Sequence, residues 1–341
     1  MFAYQMKTYM TKRKNLSAVI IILLLQFPLF VSAQTIVKKY GQLSVKGNYI
    51  MSEHGDTVQL RGMSLFWSQW MPQYYDISTI KWLRDDWKCT IVRAAMGVEM
   101  GGYLEHPRDE KDKIKLVVDA AIEAGIYVII DYHSHEAEKN TEAAKKFFAE
   151  MAKTYGKYPN VIYEIYNEPL QNVTWKKDIK PYADSVVKEI RKYDPDNIII
   201  VGTRQWSQMV TEPANLPIAD ANTVYALHFY AVSHGQYLRD EAVAAMDKGI
   251  ALFVSEFGTC DYSGNGDFSP ELSEVWFRFM DKHKLSWCCW SVSDKVETAS
   301  VLKPRTGPAD WNAEDDLTIP GKYIRNEIIT KNKPLLFRVK K

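Results

Sequence analysis

Apolar positions along this chain follow two rhythms. Eight short segments are nearly continuous runs of aliphatic and aromatic residues: Val58–Met63, Thr90–Ala95, Tyr127–Asp131, Val161–Tyr166, Ile198–Val201, Val224–Phe229, Leu252–Ser255 and Ser286–Trp290. Runs without polar alternation are what parallel strands covered on both faces require. Between them, apolar residues recur at three- and four-residue spacing over Lys113–Ala124, Thr141–Tyr155, Pro181–Tyr193 and Leu272–Lys282. That spacing predicts amphipathic helices. Gly125, Gly156 and Gly249 follow three helical segments where C-terminal stops belong. Strand and helix alternating eight times over about 280 residues predicts an α/β fold, a (β/α)8 TIM barrel. Ahead of the first strand, Gly41–Met51 reads as a short β-hairpin covering the barrel floor, and Pro334–Lys341 reads as a tail. No linker or short repeat interrupts residues 34–341, so one domain is expected.

The first 33 residues follow a different pattern. Lys7, Lys12, Arg13 and Lys14 precede an apolar stretch from Leu16 to Phe30, and Val31-Ser32-Ala33 supplies compact residues ahead of Gln34. The stretch, at roughly 15 residues, is short for a membrane span, so residues 1–33 are expected to be a signal peptide cleaved after Ala33. An uncleaved anchor is the alternative. No cysteine follows the site, which speaks against a lipoprotein. The expectation is a secreted, periplasmic or extracellular protein with no stable membrane association after cleavage.

Charge and cysteines narrow the picture further. The formal net charge is +1, and the leader carries four positive charges and no negative ones, leaving −3 for the rest. That balance argues against a nucleic-acid partner. Of Cys89, Cys260, Cys288 and Cys289, three lie in apolar strand-like segments. Buried free thiols are expected, with a disulfide to Cys260 left open by export. No Cys/His spacing suits zinc.

The strand ends carry the candidate chemistry. Val161–Pro169 reads VIYEIYNEP and delivers Asn167 and Glu168 to the end of the fourth strand; Ala251–Gly258 reads ALFVSEFG and delivers Glu256 to the end of the seventh. In a barrel of this kind the strand C-termini build the active site. Two carboxylates there suit double displacement at a sugar carbon, one protonating the leaving oxygen and the other attacking the anomeric centre. Taken singly, either Glu could cap a helix or join a salt bridge. Arg93, His133, His228 and Tyr230 fall on other strand ends, and buried polar groups of this kind need partners. An Arg beside a carboxylate keeps it ionised, and a Tyr hydroxyl can hold it in place. Indole faces stack on sugar rings, which suits Trp290 and leaves Trp67, Trp70, Trp206 and Trp311 open between packing and ligand contact.

The ordered set RGMS (Arg61–Ser64), RAAM (Arg93–Met96), DYHSH (Asp131–His135), IYNEP (Ile165–Pro169), LHFYA (Leu227–Ala231), SEFGT (Ser255–Thr259) and WSVSDKVET (Trp290–Thr298) resembles glycoside hydrolase family 5 endo-β-1,4-glucanases. The resemblance covers nearly all of Gln34–Tyr323. It implies a single catalytic domain over residues 34–341, retaining and endo-acting on cellulose or related β-glucans; because the carboxylate pair supplies both acid and nucleophile, no cofactor or metal is expected, and a monomer is expected. Carried over residue by residue, it makes Glu168 the acid/base and Glu256 the nucleophile. Arg93, His133, Asn167, His228, Tyr230 and Trp290 would complete the reactive subsite, with Asn167 on the sugar 2-hydroxyl. Lys295 and Glu297 would bind hydroxyls on the non-reducing side, and Trp206 and His234 would lie toward the leaving group; apart from the resemblance, the indole of Trp70 is expected to be a further substrate contact. Phe66 stands where many relatives have His, and Gly97 where they have Tyr; both positions would border the glycone subsites. Mannan, xyloglucan and mixed-linkage glucan are alternative substrates. A metal-dependent amidohydrolase would also use a barrel and a His-x-His, but His133-Ser-His135 falls on strand three, not one, and Asp294 lies beyond strand eight. A non-catalytic sugar-binding barrel is the third reading, against which both intact Glu residues argue.

Overall fold

Residues 35–307 and 315–336 are described by the structure, a computed structural model. The expected signal segment and Trp311 lie outside the described residues. The hairpin forms as β1 (Ser44–Lys46) and β2 (Tyr49–Met51), paired antiparallel. It sits where the sequence places it. The Asn222 side chain, just ahead of a barrel strand, accepts from Val45 N, and Gln42 donates to Asn197 Oδ1 at 2.9 Å. Leu43, just before the hairpin, and Ile50, within β2, are buried.

The barrel strands are β3 (Arg61–Leu65), β4 (Ile91–Gly97), β5 (Tyr127–His133), β6 (Val161–Glu164), β7 (Ile199–Val201) and β8 (Thr223–Ala226), followed by the two-residue β9 (Phe229–Tyr230), β10 (Leu252–Gly258) and β11 (Trp287–Val292). All their pairings are parallel, and β11 pairs with both β10 and β3, which closes the ring. Every residue of β4, β5 and β10 is buried. Side chains fill the barrel on one face and pack under helices on the other, which is why these runs carry no alternation.

Strand existence follows the apolar runs, while boundaries shift where hydrogen bonding overrides hydropathy. The first run was expected from Val58, but Val58 N bonds back to Ile50 O and Thr57 bridges Met51, so this part belongs to the floor. The sixth run breaks at Leu227-His228, with β8 before it and β9 after it. The helix expected from Lys113 starts at Pro107 and ends at Ala124. Proline suits the first helical position, and Asp109 and Glu110 in the first turn suit its dipole. Gly125 closes it in the left-handed region, at φ 69°. The helix expected over Pro181–Tyr193 spans Lys180–Ile190, and the last helix, Ile319–Leu336, reaches into the expected tail.

The seam between the first and last strands is held by charge. Arg61 NH2 donates to Gln59 Oε1 at 2.6 Å and contacts Asp281 Oδ1 at 3.2 Å, and Asn332 of the last helix donates to Arg61 O. Across the other edge of β3, Gly62 faces Ile91, and a Cβ at position 62 would lie 1.7 Å from Ile91 O. Only a hydrogen fits there. Gly62→Ala should therefore lower unfolding free energy by about 1–3 kcal/mol, the usual cost of forced overpacking. A urea midpoint equal to wild type would show that β3 and β4 separate freely.

Candidate active site

The site is organised around one cation. Arg93, in the middle of β4, is fully buried. Its Nε donates to Glu164 Oε2 at 2.7 Å, NH1 to Glu256 Oε2 at 3.0 Å, and NH2 to Asn167 Oδ1 at 2.6 Å; NH2 also lies 2.9 Å from Asp131 Oδ2. One planar fork thus ties β4 to β5, β6, β10 and the loop after β6. Burial opposes the Arg93 charge, but Asp131, Glu164 and Glu256 outweigh it and hold the guanidinium protonated well above its ordinary range.

Glu168 and Glu256 converge as the strand ends suggest. Among the described residues, Glu168, His228 and Glu256 are the one group of acids and histidines whose ligand atoms converge, within 4.8 Å of one another. Tyr230 OH donates to Glu256 Oε1 at 3.0 Å, so Glu256 receives a guanidinium and a phenol. Glu168 instead faces imidazoles. Its Oε1 is 3.0 Å from His228 Nδ1, and its Oε2 is 3.7 Å from His135 Nδ1. On the far side of the ring, His228 Nε2 lies 2.9 Å from Ser255 Oγ, and Ser255 Oγ donates to Glu164 Oε1 at 2.5 Å.

Charge is shared unevenly between the two acids. Burial disfavours the His228 cation, but hydrogen bonds to Glu164 and Glu168 prevail and raise it to about 9. Glu168 is pushed up by burial and pulled down further by its hydrogen bond to His228, so it lies below its ordinary range. Glu256 lies above its ordinary range, pushed by burial and by the charge of Glu168 against the pull of His228, Arg93 and Tyr230. The shared proton therefore rests on His228, beside an ionised Glu168.

The remaining expected residues form the cleft, of about 710 Å³. His133 lies flat against Trp290 (5.2 Å, 6°), with its Nδ1 2.6 Å from Asp131 Oδ2. Burial first, and then Arg93 and the neighbouring imidazoles, hold His133 neutral, well below its ordinary value. Asn167 has its carbonyl oxygen fixed by Arg93, while its amide nitrogen is buried without a hydrogen-bond partner among the described residues. Trp70, Trp206, His234, Lys295 and Glu297 all line the cleft, with Lys295 Nζ 2.5 Å from Glu297 Oε2. Trp206 sits in a left-handed turn, Gln205–Ser207, with φ of 59°, 55° and 56°. Its N–H is held by Pro169 O at 2.9 Å, and Ser207 Oγ donates to Asn167 O at 2.8 Å. Three consecutive non-glycine residues there are strained, a condition that persists where surrounding bonds fix it.

Of the two departures, Phe66 does border the cleft, against Trp290 at 5.0 Å and beneath Lys295 at 5.4 Å. Gly97 does not. It is buried, and the Gln69 side chain occupies the space, lying 1.8 Å from where a Cβ would stand. Four free, buried cysteines correspond to the expected thiols, Cys260 included.

Several contributors escaped the sequence reading. Glu164 was hidden in an apolar run, though an acid inside VIYEIY is itself a signal of a buried partner. Asp131 appeared only as part of a motif. Ser255 carried no signal beyond its place beside Glu256. Tyr237, in the first turn of the helix Gln236–Met246, and Tyr262, on a loop, are 60% and 76% exposed and line the cleft.

Replacing Arg93 with Met should leave three buried carboxylates without their cation and cost about 3–5 kcal/mol of stability. Chemical denaturation of the purified variant measures this. A loss below about 1 kcal/mol would mean that the acids find other partners or water.

The chain matches the family described as Cellulase (glycosyl hydrolase family 5) over residues 51–296. It is 45% identical over 298 residues to Endoglucanase N of Pectobacterium atrosepticum, covering 86% of this chain and 67% of that protein. It is 48% identical over 278 residues to Endoglucanase A of Evansella cellulosilytica, covering 80% and 57%. The chain thus spans roughly three fifths of the length of such relatives. Among solved structures, one from Cytophaga hutchinsonii is 63% identical with a TM-score of 0.87, covering 88% of this chain and 98% of that one. The endoglucanase catalytic domain from Thermobifida fusca, in a variant bound to cellotetraose, is 35% identical with a TM-score of 0.83, covering 86% and 99%. With the motif set and the closed barrel in agreement, the chain belongs to the cellulase family, glycosyl hydrolase family 5.

Proposed function

We propose that this chain is an exported, monomeric, retaining endo-β-1,4-glucanase acting on cellulose or related β-glucans, with Glu168 as acid/base and Glu256 as nucleophile. The observation that carries this reading is the convergence of the two acids, with their environments divided. Oxygens within 4.8 Å suit a retaining pair and leave little room for an inverting water. Glu256 accepts from Arg93 and Tyr230, which hold an anionic oxygen in line for attack. Glu168 has a proton within reach on His228 Nδ1. When a sugar fills the cleft and excludes water, that proton passes to Glu168 and then to the leaving oxygen. That transfer removes the Glu168 charge that raises Glu256 together with the smaller opposing pull of His228, and Arg93 and Tyr230 then keep Glu256 ionised. Asn167 Nδ2 is available for the hydroxyl next to the reacting carbon. A cleft lined by Phe66, Trp67, Trp70, Trp206 and Trp290 together with the two acids suits internal attack on a chain. The cellotetraose complex of the Thermobifida fusca domain supports a β-glucan ligand. Export rests on the leader pattern. Among the described residues, no helix is long and apolar enough to cross a membrane.

Roles are separable by chemical rescue. Glu168→Ala should form the glycosyl-enzyme from a substrate with a good leaving group and then accumulate it; azide should restore turnover and give the β-glycosyl azide. Glu256→Ala should be inactive on good and poor leaving groups alike, with azide giving the α-anomer. The opposite anomers, read by NMR, would exchange the roles.

The pH profile follows from the same environments. The activity described by kcat/KM needs one proton on the Glu168–His228 pair and none on Glu256. It should fall on the alkaline side as the pH passes about 9, where His228 loses its proton. On the acid side it should fall above the ordinary carboxylate range, because Glu256 is raised. An alkaline limb that His228→Gln leaves in place would detach it from this pair.

A further inference from the structure

We propose that Ser255 and Glu164 lock His228 into the tautomer with hydrogen on Nε2, which makes Nδ1 a second station for the proton that Glu168 uses. The proposal rests on Glu168 being the acid/base and adds a positioning function to two residues without one.

The argument is one of hydrogen-bond polarity. Glu164 is buried and accepts from Arg93 Nε through Oε2, so it is ionised and offers only acceptors. Burial opposes that charge, but Arg93 and then His228 prevail and keep Glu164 below its ordinary range. Ser255, also fully buried, must therefore give its one hydrogen to Glu164 Oε1, at 2.5 Å. Its oxygen is then an acceptor toward His228 Nε2 at 2.9 Å, and Nε2 must carry a hydrogen. Nδ1 is left facing Glu168 Oε1 at 3.0 Å, able to hold a proton or to receive one.

Other charged or titratable groups around His228 favour this arrangement. Glu164, Glu168 and Glu256 all favour a cationic ring. Arg93 is neutralised by its three carboxylates. His133 is held neutral, and His135 faces Glu168 from the opposite side. Tyr230 gives its hydrogen to Glu256.

The proton balance closes over a cycle. In the first half, the Nδ1–H bond breaks as Glu168 gains the proton. Glu168 then passes it to the glycosidic oxygen, which leaves with the electron pair of the broken C1–O bond as a Glu256 oxygen bonds to C1. In the second half, Glu168 takes a proton from water as the water oxygen bonds to C1, the C1–Glu256 bond breaks with its electron pair returning to the carboxylate, and the proton returns to Nδ1. With the other tautomer, an Nδ1–H would point at Glu168 in both states and resist its protonation. The lock therefore serves the acid half-reaction more than the base half-reaction.

The experiment uses the full enzyme. In protein labelled with ¹⁵N-histidine, the His228 signals, assigned by their loss in His228→Gln, should show Nε2 protonated throughout. Nδ1 should lose its proton near pH 9. A neutral form with hydrogen on Nδ1 would overturn the proposal without touching the assignment of Glu168, which the azide products test independently. Kinetics give the second arm. Ser255→Ala should lose at least about tenfold more activity on aryl β-cellobiosides with poor leaving groups than on those with good ones, within the range of general acid catalysis. Ser255→Thr, which keeps the hydroxyl, should restore the wild-type leaving-group dependence. Equal losses across the leaving-group series in Ser255→Ala would reduce Ser255 to a packing residue and reject the lock.

Discussion

A guanidinium with no access to water sets the terms for this barrel. An isolated ion at the position of Arg93 would be ruinously costly, and the fold meets that cost by surrounding it with Asp131, Glu164 and Glu256. The arrangement then over-compensates. Three acids face one cation, and burial drives Asp131 well above its ordinary range against the pull of Arg93. The site is therefore a set of acids sharing too little positive charge, so protons within it are mobile. His228 adds the second cation, and its partner among the exposed-side acids is Glu168.

Strand register brings this about with few specialised parts. Asp131 and Glu164 are direct partners across β5 and β6, and Ala95, two residues beyond Arg93 on β4, pairs with Asp131. Arg93, Asp131 and Glu164 thus meet inside the ring because three adjacent strands are in fixed register. A slip of one residue on any of them would turn its charge toward the helices. Loops then finish the work. The break at Leu227-His228 lets the sixth strand turn an imidazole inward, and the left-handed turn at Gln205–Ser207 ties Asn167, Pro169 and His228 to one another through backbone atoms.

This division explains what could be read from the chain. The eight strands were legible because each is buried on both faces and so is written as an unbroken apolar run. Glu168, Glu256, Arg93 and His228 were legible because a polar residue at the end of, or inside, such a run needs a reason. Glu164 obeys the same rule but lies inside its run, four residues before the more conspicuous strand-end Glu168. Ser255 was not readable at all: a hydroxyl acquires meaning only when its donor and acceptor neighbours are known. Boundaries moved where the backbone had competing partners, as at Val58, which bonds to the hairpin rather than extending β3. Tyr262 sits on a loop, where three-dimensional proximity has no sequence period, and Tyr237 lies exposed in the first turn of its helix.

The pairing of Gly97 with Gln69 bears on how such sequences should be compared. The side chain missing at one position is replaced by a side chain from another loop, held by a single bond from Gln69 Nε2 to Glu99 O at 3.2 Å, with its own oxygen unpaired. The two positions behave as one volume with two possible tenants. A larger residue at 97 has to evict a flexible amide rather than move backbone, so the exchange is open to evolution in either direction. Residues 69 and 97 should therefore vary together among homologues, and a graft that carries only one of them transfers half of a wall.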